Sequence, residues 1–197
     1  MSPKIQAETV VEQRQLRQRQ LIDAALAIAL ESGASSITVA AVAEKAGMAR
    51  SSIYEYFSSS ADLVADLVME ELALYQNRLA KAVIGTSDPY EYVELWIAEA
   101  LQYVVDGRHM LIKSLNMASI PEFRRDEISQ GHRNLMVTIS SPLQAIGLKD
   151  IRVAMSYLQN IIDAASVRIE LGNNPEVETR NAQIFAVAGL RALSAHQ

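Results

Sequence analysis

The strongest constraint on this chain is its punctuation. Apolar residues recur at three- and four-residue intervals almost from end to end, and no stretch alternates apolar with polar long enough for a convincing strand. Gly33, Gly47, Gly85, Gly107, Gly147 and Gly172 each follow or break a periodic stretch, and Pro89, Pro121 and Pro175 each stand where a new one begins. Proline just inside a start and glycine just past an end is the signature of helices. The fold class expected is therefore all-α, with about nine helices.

Composition narrows the alternatives. The 197 residues can bury a full core, and zero cysteine excludes disulfides, thiolate metal sites and thiol catalysis. The longest apolar runs, Ala24–Leu30 and Ile184–Leu190, are seven residues, against about twenty needed to span a bilayer. No apolar leader opens the chain, so a cytoplasmic protein without a membrane partner is expected. The net charge of −5 argues against nucleic acid in bulk, but it is unevenly spread. Residues 1–57 hold six basic and six acidic side chains, and the remainder holds twelve and seventeen.

The periodicity places helices over about Glu12–Ser32, Val39–Ala46, Arg50–Phe57, Ala61–Val83, Tyr90–Val105, Arg108–Met117, Pro121–Leu143, Asp150–Leu171 and Glu176–Leu193. A break at Pro142 is allowed for in the seventh. Ser59 with Asp62 reads as a capping box with Asp in place of Glu, and Ser119 with Glu122 as a full one. The fourth helix runs on from a small N-terminal module into the larger remainder, which should couple the two mechanically.

The informative segment lies between Thr38 and Phe57. A short amphipathic helix ends at Gly47 and another begins three residues later, the spacing of a helix-turn-helix whose second helix can enter a major groove. In that second helix Ile53, Tyr56 and Phe57 point inward. Arg50, Ser51, Tyr54 and Glu55 share the opposite face, whose Arg, hydroxyls and Tyr suit base edges and phosphates.

The pattern Thr38…Val42-Ala43…Ala46-Gly47-Met48…Ile53-Tyr54-x-Tyr56-Phe57…Leu63 resembles the DNA-binding domain of the TetR (tetracycline-repressor-like) transcriptional regulators. The likeness in residues covers about 16–64. Beyond it, only length and helical layout match. It implies an N-terminal helix-turn-helix three-helix module (12–60) and a C-terminal helical bundle (61–197) for effector binding and dimerisation. It also implies that Arg50, Ser51 and Tyr54 face bases, that Thr38, Ser52 and Tyr56 face phosphates, and that Arg17 and Arg19 reach the backbone or a minor groove. Family members commonly carry Ser, Gly and Lys where this chain has Ala49, Ser51 and Ser60. Ala49 forgoes a helix cap worth ~1 kcal/mol. Ser60 forgoes a phosphate contact worth roughly 0.9 in the salt slope.

In the C-terminal part, Ile151, Met155, Leu158, Ile162, Ala165 and Ile169 form one stripe of a helix, and Ala154, Tyr157, Ile161 and Ala164 form a second. A helix apolar on two sides must bury both. Ala182, Ala186, Gly189 and Ala192 add small residues beside Ile184, Phe185 and Leu193. A two-fold dimer with four helices at its interface follows, two such heads reading a palindromic operator; burial of both faces inside one subunit is the other solution. Met110, Met117, Met136 and Met155, with Trp96, Tyr103, Phe123 and Tyr157, are candidates for lining a pocket for a small, mainly apolar effector. The plainer alternative makes them core residues.

No cofactor is called for. His109, His132 and His196 lack metal-ligand spacing, and no catalytic set is present, so an enzyme is not expected. The function expected is a dimeric DNA-binding regulator, a repressor released when effector shifts the helix near Arg108–Met117 against the long fourth helix. The alternative is a helical apolar-ligand carrier or interaction protein with a vestigial helix-turn-helix, favoured by Ala49 and Ser60.

Overall fold

A computed structural model describes residues 10–109, 120 and 122–196. Its helices are α1 (Val10–Ser32), α2 (Val39–Ala46), α3 (Arg50–Ile53), α4 (Ser60–Ala82), α5 (Pro89–Val105), α6 (Glu122–Val137), α7 (Ser140–Ala145), α8 (Ile151–Glu170) and α9 (Pro175–Ala195), with a 3-10 turn at Ala34–Ser36. Among the described residues there is no strand, as the periodicity requires. The expected helix over Arg108–Met117 and the Ser119–Glu122 box lie wholly or partly outside the described residues, as do Met110, Met117 and Pro121.

Two boundaries differ from expectation for identifiable reasons. The third helix ends at Ile53 and a turn follows over Tyr54–Tyr56, with the Tyr56 and Phe57 amides both donating to the Ile53 carbonyl, at 2.9 and 3.0 Å. The seventh breaks at Thr138–Ile139, ahead of Pro142. Pro142 is the third residue of α7, where the amide it lacks has no helical partner to lose.

The chain forms two compact units, each with its own core. The first holds residues 10–70 with 120 and 122–128, and the second 71–109 with 129–196. In the first, Leu21, Ala25, Val42, Ile53, Phe57, Leu63 and Leu67 are almost wholly enclosed, drawing α1, α2, α3 and the start of α4 around one centre. Arg124 of α6 ties into this unit by ion pairs to Asp66, to Asp62 at 3.9 Å and to Glu127 at 3.1 Å. From α1, the Gln18 amide donates to the other Asp66 oxygen at 3.1 Å.

In the second unit α9 packs on α5 and α8, while α5 also packs on α7 and α8. Asp88, Asp150 and Asn174 cap α5, α8 and α9, and Pro89 and Pro175 take the first turns of α5 and α9. The single Trp96 donates its indole N–H to Thr138 Oγ1 at 3.0 Å, and Tyr92 donates to the Thr138 carbonyl, also at 3.0 Å. α5 thereby grips the corner between α6 and α7.

Candidate nucleic-acid interface and apolar groove

The first unit builds a helix-turn-helix from short-range rules. Thr38 caps α2 by accepting from the Ala41 amide at 3.1 Å. At the other end Gly47 takes φ +66°, a conformation an L side chain adopts only under strain, and the Met48 amide returns to the Ala43 carbonyl at 2.9 Å. The chain is thus reversed and α3 begins at Arg50, with Ile53 and Phe57 sunk in the core. That anchoring fixes which side chains face out: Arg50, Ser51, Tyr54 and Glu55 are exposed, and Ser52 and Tyr56 half-buried.

Ala49 stands at the N-cap of α3 in extended backbone and offers no side-chain bond, so the first amides of that helix are uncapped from within. Arg17 and Arg19 are exposed on α1. Lys45 is not a free cation: Nζ lies 2.7 Å from both carboxylate oxygens of Glu31. At the entry to α4, Ser59 accepts from the Asp62 amide at 3.1 Å as the capping-box spacing predicts. The reciprocal bond lands one residue earlier than a standard box, with the Ser58 amide donating to Asp62 Oδ2 at 3.1 Å.

The second unit opens a groove of about 840 Å³ between α8 and α9. It is lined by Tyr157, Ile161 and Ala164 from α8 and by Phe185, Gly189 and Leu193 from α9, among others. These belong to the second α8 stripe and the small-residue face of α9. The first α8 stripe is turned inward, with Leu158, Ile162 and Ala165 buried. Phe185 and Tyr157 remain 73% and 60% exposed, so a single chain does not cover this face. At its edge Arg168 grips Glu178 through two bonds of 2.7 and 2.8 Å, holding that carboxyl below its ordinary range. No periodicity in the sequence links these two residues, which sit on different helices.

The pocket candidates among the described residues have different surroundings. Met110 and Met117 lie outside the described residues. Trp96 and Tyr103 are buried and engaged, Trp96 with Thr138 and Tyr103 in a 4.2 Å stack with Tyr75 plus a 3.3 Å bond to Glu71. Met136 and Met155 are half-buried, and Phe123 is 65% exposed in the first unit. Tyr157 alone of the six described lines the groove. Nearness in sequence does not gather side chains that leave different helices in different directions.

Residues 21–67, nearly all of the first unit's core, match the family described as bacterial regulatory proteins, tetR family. The chain is 25% identical over 162 residues to the fatty acid metabolism regulator protein of Bacillus subtilis, covering 78% of this chain and 83% of that one. It is 27% identical over 115 residues to the HTH-type transcriptional repressor KstR of Mycolicibacterium smegmatis, covering 58% and 56%. In fold it is similar to the fatty acid degradation regulator FadR of Bacillus halodurans, with a TM-score of 0.71, 20% identity and coverage of 89% and 96%. It is likewise similar to FadR of Bacillus subtilis in complex with stearoyl-CoA, with a TM-score of 0.69, 22% identity and coverage of 87% and 98%.

Proposed function

We propose that this chain, a member of the TetR family of bacterial regulatory proteins, is a dimeric repressor that leaves a palindromic operator when a long-chain acyl effector binds. The observation that carries the reading is the outward face of the α3 segment. Arg50, Ser51 and Tyr54 stand clear of a core that Ile53 and Phe57 anchor. Residues 12–60 then hold the DNA contacts and 61–197 the effector and dimer functions. Arg50, Ser51 and Tyr54 read base edges, while Thr38, Ser52, Tyr56, Arg17 and Arg19 hold the backbone. Thr38 spends only its oxygen on the Ala41 amide, leaving its hydroxyl proton for a phosphate.

The uncovered groove supports the dimer. Alanines, a glycine and two exposed rings make a face that a second copy can bury, giving two heads one helical turn apart, about 34–36 Å. The effector class rests on the relatives, one of which is held with stearoyl-CoA, and on the Met and aromatic content of residues 96–157. Trp96, Tyr103, Met110, Met117, Phe123, Met136, Met155 and Tyr157 remain the candidates for its contacts. The effector acts by binding and is not consumed, and the regulator works in the cytoplasm, where its operator is. Among the described residues no helix is long and apolar enough to cross a membrane.

An effector releases DNA only through its different affinities for two states, and DNA must weaken the effector by the same factor. The test is a duplex enriched from a random-sequence pool by the whole protein, followed by titration with stearoyl-CoA at fixed salt. Release of the duplex with the thioester recovered intact is expected. Unchanged DNA affinity sinks the effector, and a pool that yields no enriched sequence sinks the DNA-binding role.

A further inference from the structure

We infer that Arg14 is a positioning residue for DNA recognition, holding the segment that carries Tyr54 and Tyr56 in register from outside. The inference rests on the DNA-binding reading and adds a residue that the helix-turn-helix pattern, beginning at Thr38, does not contain. α3 is a helix of four residues whose continuation is a pair of turns, without the left-handed glycine that ends α2. Its N-terminus has no side-chain cap either, because Ala49 has none to offer. So short a helix holds no conformation on its own hydrogen bonds. Ile53 and Phe57 anchor its inner side and Tyr56 packs in part against the same core, which leaves the outward side of the turn, at Tyr54 and Glu55, to be held from elsewhere.

Arg14 meets that turn. Its Nη2 donates to the Glu55 carbonyl at 3.0 Å, and its guanidinium carbon sits 5.6 Å from the centroid of the Tyr56 ring. A cation supplied to a carbonyl just past a helix C-terminus satisfies an acceptor and favours the helix dipole. The same group over a ring face restricts the ring. One guanidinium therefore fixes both the backbone between two proposed contact residues and the side chain of one of them. Arg17 and Arg19, on the same exposed stretch of α1, make no such bond among the described residues and are left to the phosphate role.

Positioning and phosphate contact separate by salt. A lost phosphate contact lowers the slope of log K against log salt by about 0.9, whereas a lost positioning bond weakens binding and leaves the slope alone. The experiment compares whole-protein variants on the duplex enriched by the wild-type chain, so failure to enrich any duplex is a failure of the DNA-binding reading alone. Arg14→Gln is expected to weaken binding about fivefold, with an unchanged slope and an unchanged melting temperature. Arg17→Gln should lower the slope. Against a Tyr56→Phe background, which already lacks the phosphate-contacting hydroxyl, Tyr56→Leu removes the ring, and Arg14→Gln should cost less beside Leu than beside Phe. Arg14→Lys keeps the charge and one donor but cannot supply both the Glu55 bond and the planar group over the ring, and should recover only part of the loss. Should Arg14→Gln melt early, Arg14→Lys and the Tyr56 cycle decide. Unaltered affinity, a slope reduced as in Arg17→Gln, full recovery by Lys, or an equal cost of Arg14→Gln beside Tyr56→Leu and Tyr56→Phe each overturns the inference.

Discussion

Arg108 meets Glu71 fork to fork, its Nε donating to Oε2 at 2.9 Å and its Nη2 to Oε1. Glu71 is only 3% exposed, and the Tyr103 hydroxyl adds a third bond to Oε2 at 3.3 Å. Removing one partner of such a pair leaves an uncompensated buried charge, while replacing both with apolar groups is often neutral. Arg108 keeps a quarter of its side chain in solvent, which moderates the loss. Arg108→Ala should lower stability by about 2 kcal/mol in urea unfolding, and the double change Glu71→Met, Arg108→Leu should restore most of it. An Arg108→Ala midpoint equal to wild type contradicts this account.

Burial, reinforced by the charge of Glu99 near Tyr75 and of Glu71 near Tyr103, pushes both phenols well above their ordinary 10.0. A folded-state value above the unfolded one means the stabilisation is whole below pH 10 and declines as pH rises beyond it. Phenolate absorbance should therefore rise in two steps, with Tyr75 and Tyr103 ionising last and together with unfolding. Tyr103→Phe should flatten the alkaline decline. A single titration of all seven tyrosines without unfolding is the contrary result.

Ala49 already has cap geometry, with φ −69° and ψ 140°, and lacks only a side-chain acceptor. Ala49→Ser should raise stability by about 1 kcal/mol, read as a higher melting temperature. Ser at Thr38, where the native cap works, should change little. A melting point lowered by Ala49→Ser would mean the serine cannot reach the α3 amides.

The groove between α8 and α9 predicts association. Phe185→Glu places a charge on each copy where a ring would be buried, and the two-fold repeats the penalty. The dimer dissociation constant in sedimentation should rise about a hundredfold or more, and operator affinity should fall with it. A wild-type chain that sediments as a monomer removes the basis of this expectation.

The helices were legible because their signals are local. The six glycines that punctuate the sequence are the six with positive φ in the structure, and the stripe through Leu158, Ile162 and Ala165 is buried as its spacing requires. The outward set Arg50, Ser51, Tyr54 and Glu55 followed from the same periodicity. What stayed hidden depends on partners far apart in the chain. Arg14 lies 41 residues from Glu55 and Arg108 37 from Glu71, and neither pair has a period to betray it. Residue type alone likewise does not show what a side chain does: Trp96, named for its ring, is buried with its indole N–H spent on Thr138. The break falls at Thr138–Ile139, ahead of the Pro142 where one is allowed for, because proline punctuates only where its missing amide matters.

The Arg168–Glu178 pair at the edge of the groove bears on the choice of mate. A face of alanines, a glycine and two rings would accept almost any apolar face of similar curvature, including that of a related regulator in the same cell. A fixed positive and negative charge at the rim demands a counterpart arrangement on the incoming chain. A relative lacking it would strand polar atoms at the joint, a penalty that self-pairing avoids. An exposed guanidinium and the buried carboxylate that holds it would then keep one regulatory circuit from exchanging subunits with another.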